Sequence, residues 1–296
     1  MKIAIAGGTG LVGCALTDLL REQGHEPIIL TRGQPQNARY VQWLHGTLPL
    51  EQLDGIDAFV NLAGVSLNDG RWTPEQKEAI YNSRMTATEE MLRIVTQLST
   101  PPRVIVNASA VGIYPISTTA TYNETSTQRA NDFLGKTVAD WEQKALRAKE
   151  LGIRTCLARF GVILDTEAGA LPLIALPYKM FVGGTVGSGK QWLSWIHIHD
   201  VARAILYAIE TPSLEGAINF AAPHAERMKS FGKTVSRVLN KPHWLPVPNF
   251  ALQLALGEKS VLVLEGQHVV PEKLLAAGFT FQFPTLEEAL RDLYKS

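Results

Sequence analysis

The chain is predicted to be α/β: a Rossmann-like doubly wound parallel sheet followed by a smaller, mostly helical C-terminal substrate lobe. Three observations carry this. First, Lys2–Ala6 is an apolar strand-like run, glycines follow at positions 7, 8, 10 and 13, and Leu11–Leu20 has helical periodicity. Second, apolar strand-like runs recur along the first 220 residues with helical stretches between them, the pattern of a parallel sheet covered on both faces. Third, the rhythm changes after about residue 222, where Pro242, Pro246 and Pro248 crowd together and apolar helical stretches follow. The expected division is therefore 1–222 and 223–296, with an insertion at about 165–192 in the first part.

Each element has its own justification. Strands are expected near Lys2–Ala6, Pro27–Thr31, Ala58–Leu62, Arg103–Asn107, Arg154–Phe160 and Gly216–Phe220, with a weaker one at Arg39–Leu44. Helices fit 10–22, 74–98, 132–150, 199–210 and 227–240. The second helix has strong start chemistry, with Thr73 as N-cap and Pro74 in the first turn.

Composition bounds the function. The 296 residues include 28 basic and 28 acidic side chains, so zero formal charge argues against a nucleic-acid surface or a polybasic membrane contact. No apolar run reaches the roughly 18 residues of a membrane span, and a cytoplasmic protein is expected. The two cysteines, Cys14 and Cys156, read as small buried hydrophobes and exclude a disulfide framework.

The glycine turn between strand and helix is a phosphate cradle. Without β-carbons in the way, backbone N–H groups at a helix N-terminus can face a pyrophosphate. Gly7, Gly8, Thr9, Gly10, Leu11, Val12 and Gly13 are the expected cofactor-binding residues. The second strand ends in Arg32 rather than the Asp or Glu that grips NAD ribose hydroxyls, which selects NADP (NADPH) through its 2′-phosphate. Leu62, Ala63 and Gly64 end the next good strand and let the backbone approach the cofactor. Ser109 lies at the carboxyl end of another strand, where substrate would meet the nicotinamide, with Tyr114 nearby.

Two further patterns are read without assigning chemistry. His197, His199 and Asp200 alternate as metal ligands do, but no third and fourth ligand stands at a recognisable spacing, so no metal is expected and Asp200 is read as a helix cap. Gly184–Lys190 imitates a P-loop until Gln191 replaces its Ser/Thr, and is read as a flexible loop over the substrate cleft, with Lys190 a candidate ligand for an anionic substrate.

The glycine pattern, Asn61–Gly64, the Ser109 segment and Trp195–Ala202 resemble extended short-chain dehydrogenase/reductases, and more narrowly the atypical YfcH-like epimerase family. Arg71–Thr73, Gly187–Gly189, Gly257–Ser260, Gly266, Gln267 and Pro271 extend the resemblance over nearly the whole length; its last part resembles a small C-terminal domain of unassigned function. The resemblance implies a Rossmann core, a substrate lobe from later segments, and a homodimer through paired helices such as 74–98 and 132–150. It also exposes a departure. Typical members use Tyr-x-x-x-Lys for proton transfer, whereas here Lys136 is preceded at four residues by Asp132, and the register set from Glu142 gives Leu134 and Val138. Two functions are therefore expected to compete: an NADP-dependent oxidoreductase or epimerase on an unidentified small substrate, with Ser109, Tyr114 and Lys136 as candidate catalytic residues, and a non-catalytic NADPH-binding sensor or regulator.

Overall fold

A computed structural model describes residues 1–295. In chain order, the first half comprises β1 (Lys2–Ala6), α1 (Leu11–Glu22), β2 (Glu26–Thr31), β3 (Tyr40–Gln42), α2 (Leu50–Leu53), β4 (Ala58–Asn61), α3 (Pro74–Gln97), β5 (Val104–Ala110), β6 (Thr121–Tyr122) and α4 (Phe133–Leu146). The middle comprises β7 (Arg154–Phe160), β8 (Val162–Leu164), α5 (Leu171–Lys179), β9 (Trp192–Leu193), β10 (Trp195–His197), α6 (Ile198–Glu210), β11 (Gly216–Phe220), β12 (Glu226–Arg227) and α7 (Met228–Leu239). The last part comprises α8 (Asn249–Leu256), α9 (Val261–Leu264), β13 (His268–Val269), α10 (Glu272–Ala276) and α11 (Leu286–Leu293).

Seven strands form one parallel sheet in the order β11-β7-β5-β4-β1-β2-β3. Its side chains alternate as the pleat demands. Ile3 and Ile5 join a core with Leu16 and Leu20 of α1 and the inner face of α6, while Ala4 and Ala6 join a second core with Met91 and Val95 of α3. Chain order reverses between β1 and β4, the switch point where such sheets leave a crevice beyond their carboxyl ends. The predicted doubly wound sheet is thus the observed one. The expected helix over 132–150 is α4 followed by a 3₁₀ turn at Arg147–Leu151.

A third core joins Leu164, Leu171 and Trp195 to Phe231, Leu286 and Leu290. The C-terminal segment also returns to the first core through Leu274, Phe279 and Phe281. Asp200 fastens it: this fully buried carboxylate accepts N–H bonds from Gln282 and Phe283 at 2.8 and 2.9 Å and pairs with Arg203 at 2.8 Å. The expected cap role for Asp200 is therefore corrected. His197 caps α6 instead, its Nδ1 accepting from the His199 N–H at 3.1 Å. Cys14 is a second correction: it is exposed on α1, and only Cys156 is buried. Among the described residues, no helix is long and apolar enough to cross a membrane.

His197 predicts a pH dependence. It is fully buried against the Phe283 ring, 3.9 Å between centroids, and burial, reinforced by the neighbouring His199, pulls its pKa down to about 4. The unfolded chain takes up this proton near pH 6.5, so between about 6.5 and 4 it binds more protons than the native state and stability falls as pH falls. The expected loss is about 3 kcal/mol over that window. Urea unfolding at stepped pH should show it, and His197→Asn, which keeps a cap acceptor but does not titrate, should flatten that part of the curve. Parallel curves for the two proteins would exclude His197 as the source.

Candidate dinucleotide site

The cradle is built by backbone approaches that exclude side chains. Gly7 has φ +76°, and a β-carbon there would lie 2.8 Å from the Leu62 carbonyl. A β-carbon on Gly13 would lie 2.3 Å from the Gly7 oxygen and 2.5 Å from the Gly8 Cα, so only glycine lets α1 sit this close to the strand. Gly10 is the N-cap of α1 and carries no side-chain cap, which leaves the first-turn N–H groups available to an anion. These features fit a dinucleotide pyrophosphate.

Around the cradle, the neighbouring strand ends supply the walls. Leu62 donates its N–H to the Ala6 oxygen at 2.9 Å, which sets the β4 turn beside β1. Ala63 donates to the Asn61 side chain at 3.3 Å. Gly64 faces the Arg84 guanidinium, which a β-carbon would approach to 3.2 Å. Arg84 donates to the Val65 and Ile80 oxygens at 3.1 and 2.9 Å; burial lowers its pKa to about 10, so it stays charged at neutral pH. Arg32 follows β2 directly and is exposed.

Two polar rows cross the carboxyl ends of the strands. Asn61 and Asn107 are register partners of β4 and β5, and Asn61 donates to the Asn107 Oδ1 at 2.7 Å and to the Thr88 Oγ1 at 3.2 Å. Trp141 closes this row by donating to Thr88 at 2.9 Å. In the second row Ser109, Arg159 and Asn219 are partners across β5, β7 and β11. Glu142 of α4 accepts from Ser109 Oγ at 2.5 Å and from Arg159 Nε and Nη2 at 2.7 and 2.8 Å. Arg159 donates onward to the Tyr114 hydroxyl at 2.7 Å, which donates to Asn219 at 2.9 Å. Burial opposes the Arg159 charge, but Glu142 outweighs it and holds the guanidinium above its ordinary pKa.

The three candidate catalytic residues do not meet. Ser109 and Tyr114 belong to the same buried network; Tyr114 is 0% exposed, and burial pushes its phenol pKa up despite Arg159. Lys136 stands exposed on α4. Asp132 caps α4 by accepting the Gly135 N–H at 2.7 Å. His197 is buried while His199 is exposed, and the described residues contain no group of three His, Cys, Asp or Glu suited to a metal. The glycine loop is also not free over a cleft. Gly187 donates to the Val247 oxygen and Val247 to the Thr185 oxygen, both at 2.9 Å, pinning the loop to the C-terminal segment.

Sequence reasoning missed Arg84, Glu142 and Arg159. The last two had a signal: a charge at the end of the otherwise uncharged run Thr155–Ala158, and an acid on the buried face of α4 with Val138 and Trp141.

Residues 3–221 match the NAD dependent epimerase/dehydratase family. The chain belongs to this family. Residues 247–293 match a domain of unknown function that accompanies it here. The epimerase family protein YfhF of Bacillus subtilis is 47% identical over 298 residues, covering 99% of this chain and 98% of that protein. Human epimerase family protein SDR39U1, whose crystal structure holds NADPH, is 32% identical with a TM-score of 0.93, and each chain covers 100% of the other. A nucleoside-diphosphate sugar epimerase of Corynebacterium glutamicum is 31% identical with a TM-score of 0.82; the match covers 100% of this chain and 59% of that one.

Proposed function

We propose that this epimerase-family protein binds NADP(H) in the β1–α1 cradle and performs redox or epimerase chemistry on an unidentified small substrate. The observation that carries the reading is the approach of Gly13 to Gly7 and Gly8, which leaves an uncapped helix N-terminus open to a pyrophosphate. The NADPH held by the 32%-identical SDR39U1 supports the cofactor choice. When bound, the nicotinamide supplies or accepts a hydride. The chain's own residues hold it: Gly7–Gly13 accommodate the diphosphate, Leu62, Ala63 and Gly64 wall the β4 side, and Arg32 takes the 2′-phosphate. Ser109 fixes the β5 terminus through Glu142 and so acts as a positioning residue.

The engaged hydroxyls of Ser109 and Tyr114 favour a second reading, an NADPH-binding sensor without turnover. Calorimetric titration with NADPH and NADH tests the shared part: tight, NADPH-selective binding is expected, and binding of neither by folded protein would overturn both readings. Arg32→Ala should weaken NADPH about 10- to 100-fold while leaving NADH nearly unchanged, because only the 2′-phosphate loses a charge-assisted partner. Equal losses for the two would remove Arg32 from the site. Turnover of sugar nucleotides or carbonyl compounds by the cofactor-loaded protein separates the enzyme from the sensor.

A further inference from the structure

A cluster of cationic side chains lies on elements that take no part in the β1–α1 cradle. Between the end of the glycine loop, the segment at Thr118 and the first turns of α7 is an open pocket of about 430 Å³. Its side chains are Thr118, Lys190, Arg227, Lys229, Ser230 and Lys233: four cations, two hydroxyls and no acid. In a chain with 28 basic and 28 acidic residues this is a local concentration of one sign. No carboxylate forms an ion pair with any of the four among the described residues.

The pocket is prepared rather than merely charged. The Arg227 guanidinium lies 3.7 Å from the Trp192 ring centroid and donates to the Thr118 oxygen at 2.9 Å and to the Lys190 oxygen. Trp192 is itself stacked on His268 at 4.1 Å and donates to the same Thr118 oxygen at 3.2 Å. Among the described residues, two of the five guanidinium N–H groups are thus used for orientation, and three remain. Gly189, at φ +68°, brings the loop against α7: a β-carbon there would meet the Lys229 Cβ at 2.9 Å. The Met228 and Lys229 N–H groups bond the Gln191 and Gly189 oxygens, so the side chains, not the helix end, make the site.

Lys229 and Lys233 stand four apart on one helix, a like-charge arrangement that costs stability unless an anion relieves it. Their field reaches His243, whose pKa is lowered by burial and then by Lys233 and Lys229. Trp192 is covered by Arg227 and offers no free face to a base, and none of the pocket's side chains is apolar, which disfavours a lipid.

We propose that this pocket binds a small, soluble, multiply charged phosphoanion, independently of the cofactor cradle. Sodium pyrophosphate is the probe, titrated calorimetrically into the full chain and two kinds of variant. Lys229→Gln with Lys233→Gln should weaken saturable binding at least about tenfold, since two charge-assisted contacts are removed. Lys229→Arg with Lys233→Arg should retain it, and Gly10→Phe, which blocks the cradle, should leave it intact. Absence of saturable binding, or a loss confined to Gly10→Phe, would overturn the proposal. The latter outcome would instead place pyrophosphate in the cradle.

Discussion

Glu142→Gln is expected to destabilise the protein by about 3–5 kcal/mol, the cost of leaving a buried charge without its partner. Arg159 and Glu142 are only 2% and 6% exposed, and the carboxylate accepts three of the hydrogen bonds that hold the row together. Glutamine offers one oxygen where two are in use and turns an amide toward a guanidinium. Beside that single amide oxygen, Arg159 would keep the Tyr114 hydroxyl as a neutral acceptor. Denaturant unfolding of the single variant, and of Glu142→Leu with Arg159→Met, would separate the pair from its surroundings. The double replacement should be much less damaging than the single one, because no unpaired charge remains. A loss below about 1 kcal/mol for Glu142→Gln would mean that the pair is effectively hydrated.

Gly13→Val should reduce NADPH affinity by at least about 100-fold, or abolish folding of the β1–α1 unit, since no backbone shift of a few tenths of an ångström removes a 2.3 Å approach. Gly10→Phe keeps the experiment decisive. Its β-carbon meets only the Gly7 oxygen at 3.3 Å, so the fold should persist while the exposed N-cap is obstructed. Gly24→Ala is the control: it is strained at φ +74° but has nothing within 4 Å, so it should cost about 1 kcal/mol of stability and leave affinity unchanged. Unaltered NADPH binding in Gly10→Phe would refute the cradle.

The parallel sheet was legible because its strands are buried on both faces and so read as continuous apolar runs, and because glycine spacing encodes the first turn directly. Thr73 capping α3, through its bond from Gln76 N at 3.2 Å, followed from local chemistry alone. The polar rows were not legible. Ser109, Arg159 and Asn219 come from positions far apart in the chain, and only sheet register brings them level. Asp200 looked like a cap because its partners, Gln282 and Phe283, lie 82 and 83 residues away. The short α5 was hidden by Pro172 and Pro177, which break the helical pattern without preventing one nine-residue helix. Cys14 was misplaced because an apolar neighbourhood in sequence does not say which side of α1 faces out.

The Asp200 anchor has a consequence for synthesis. A ribosome delivers residues 279–283 some eighty positions after Asp200, and until then this buried carboxylate has only Arg203. Leu274, Phe279 and Phe281 are likewise missing from the first core during that interval. Until residues 274–281 emerge, the flank of the nascent sheet that they cover stays exposed. The segment is a latch, closing a core whose other members precede it in the order of synthesis.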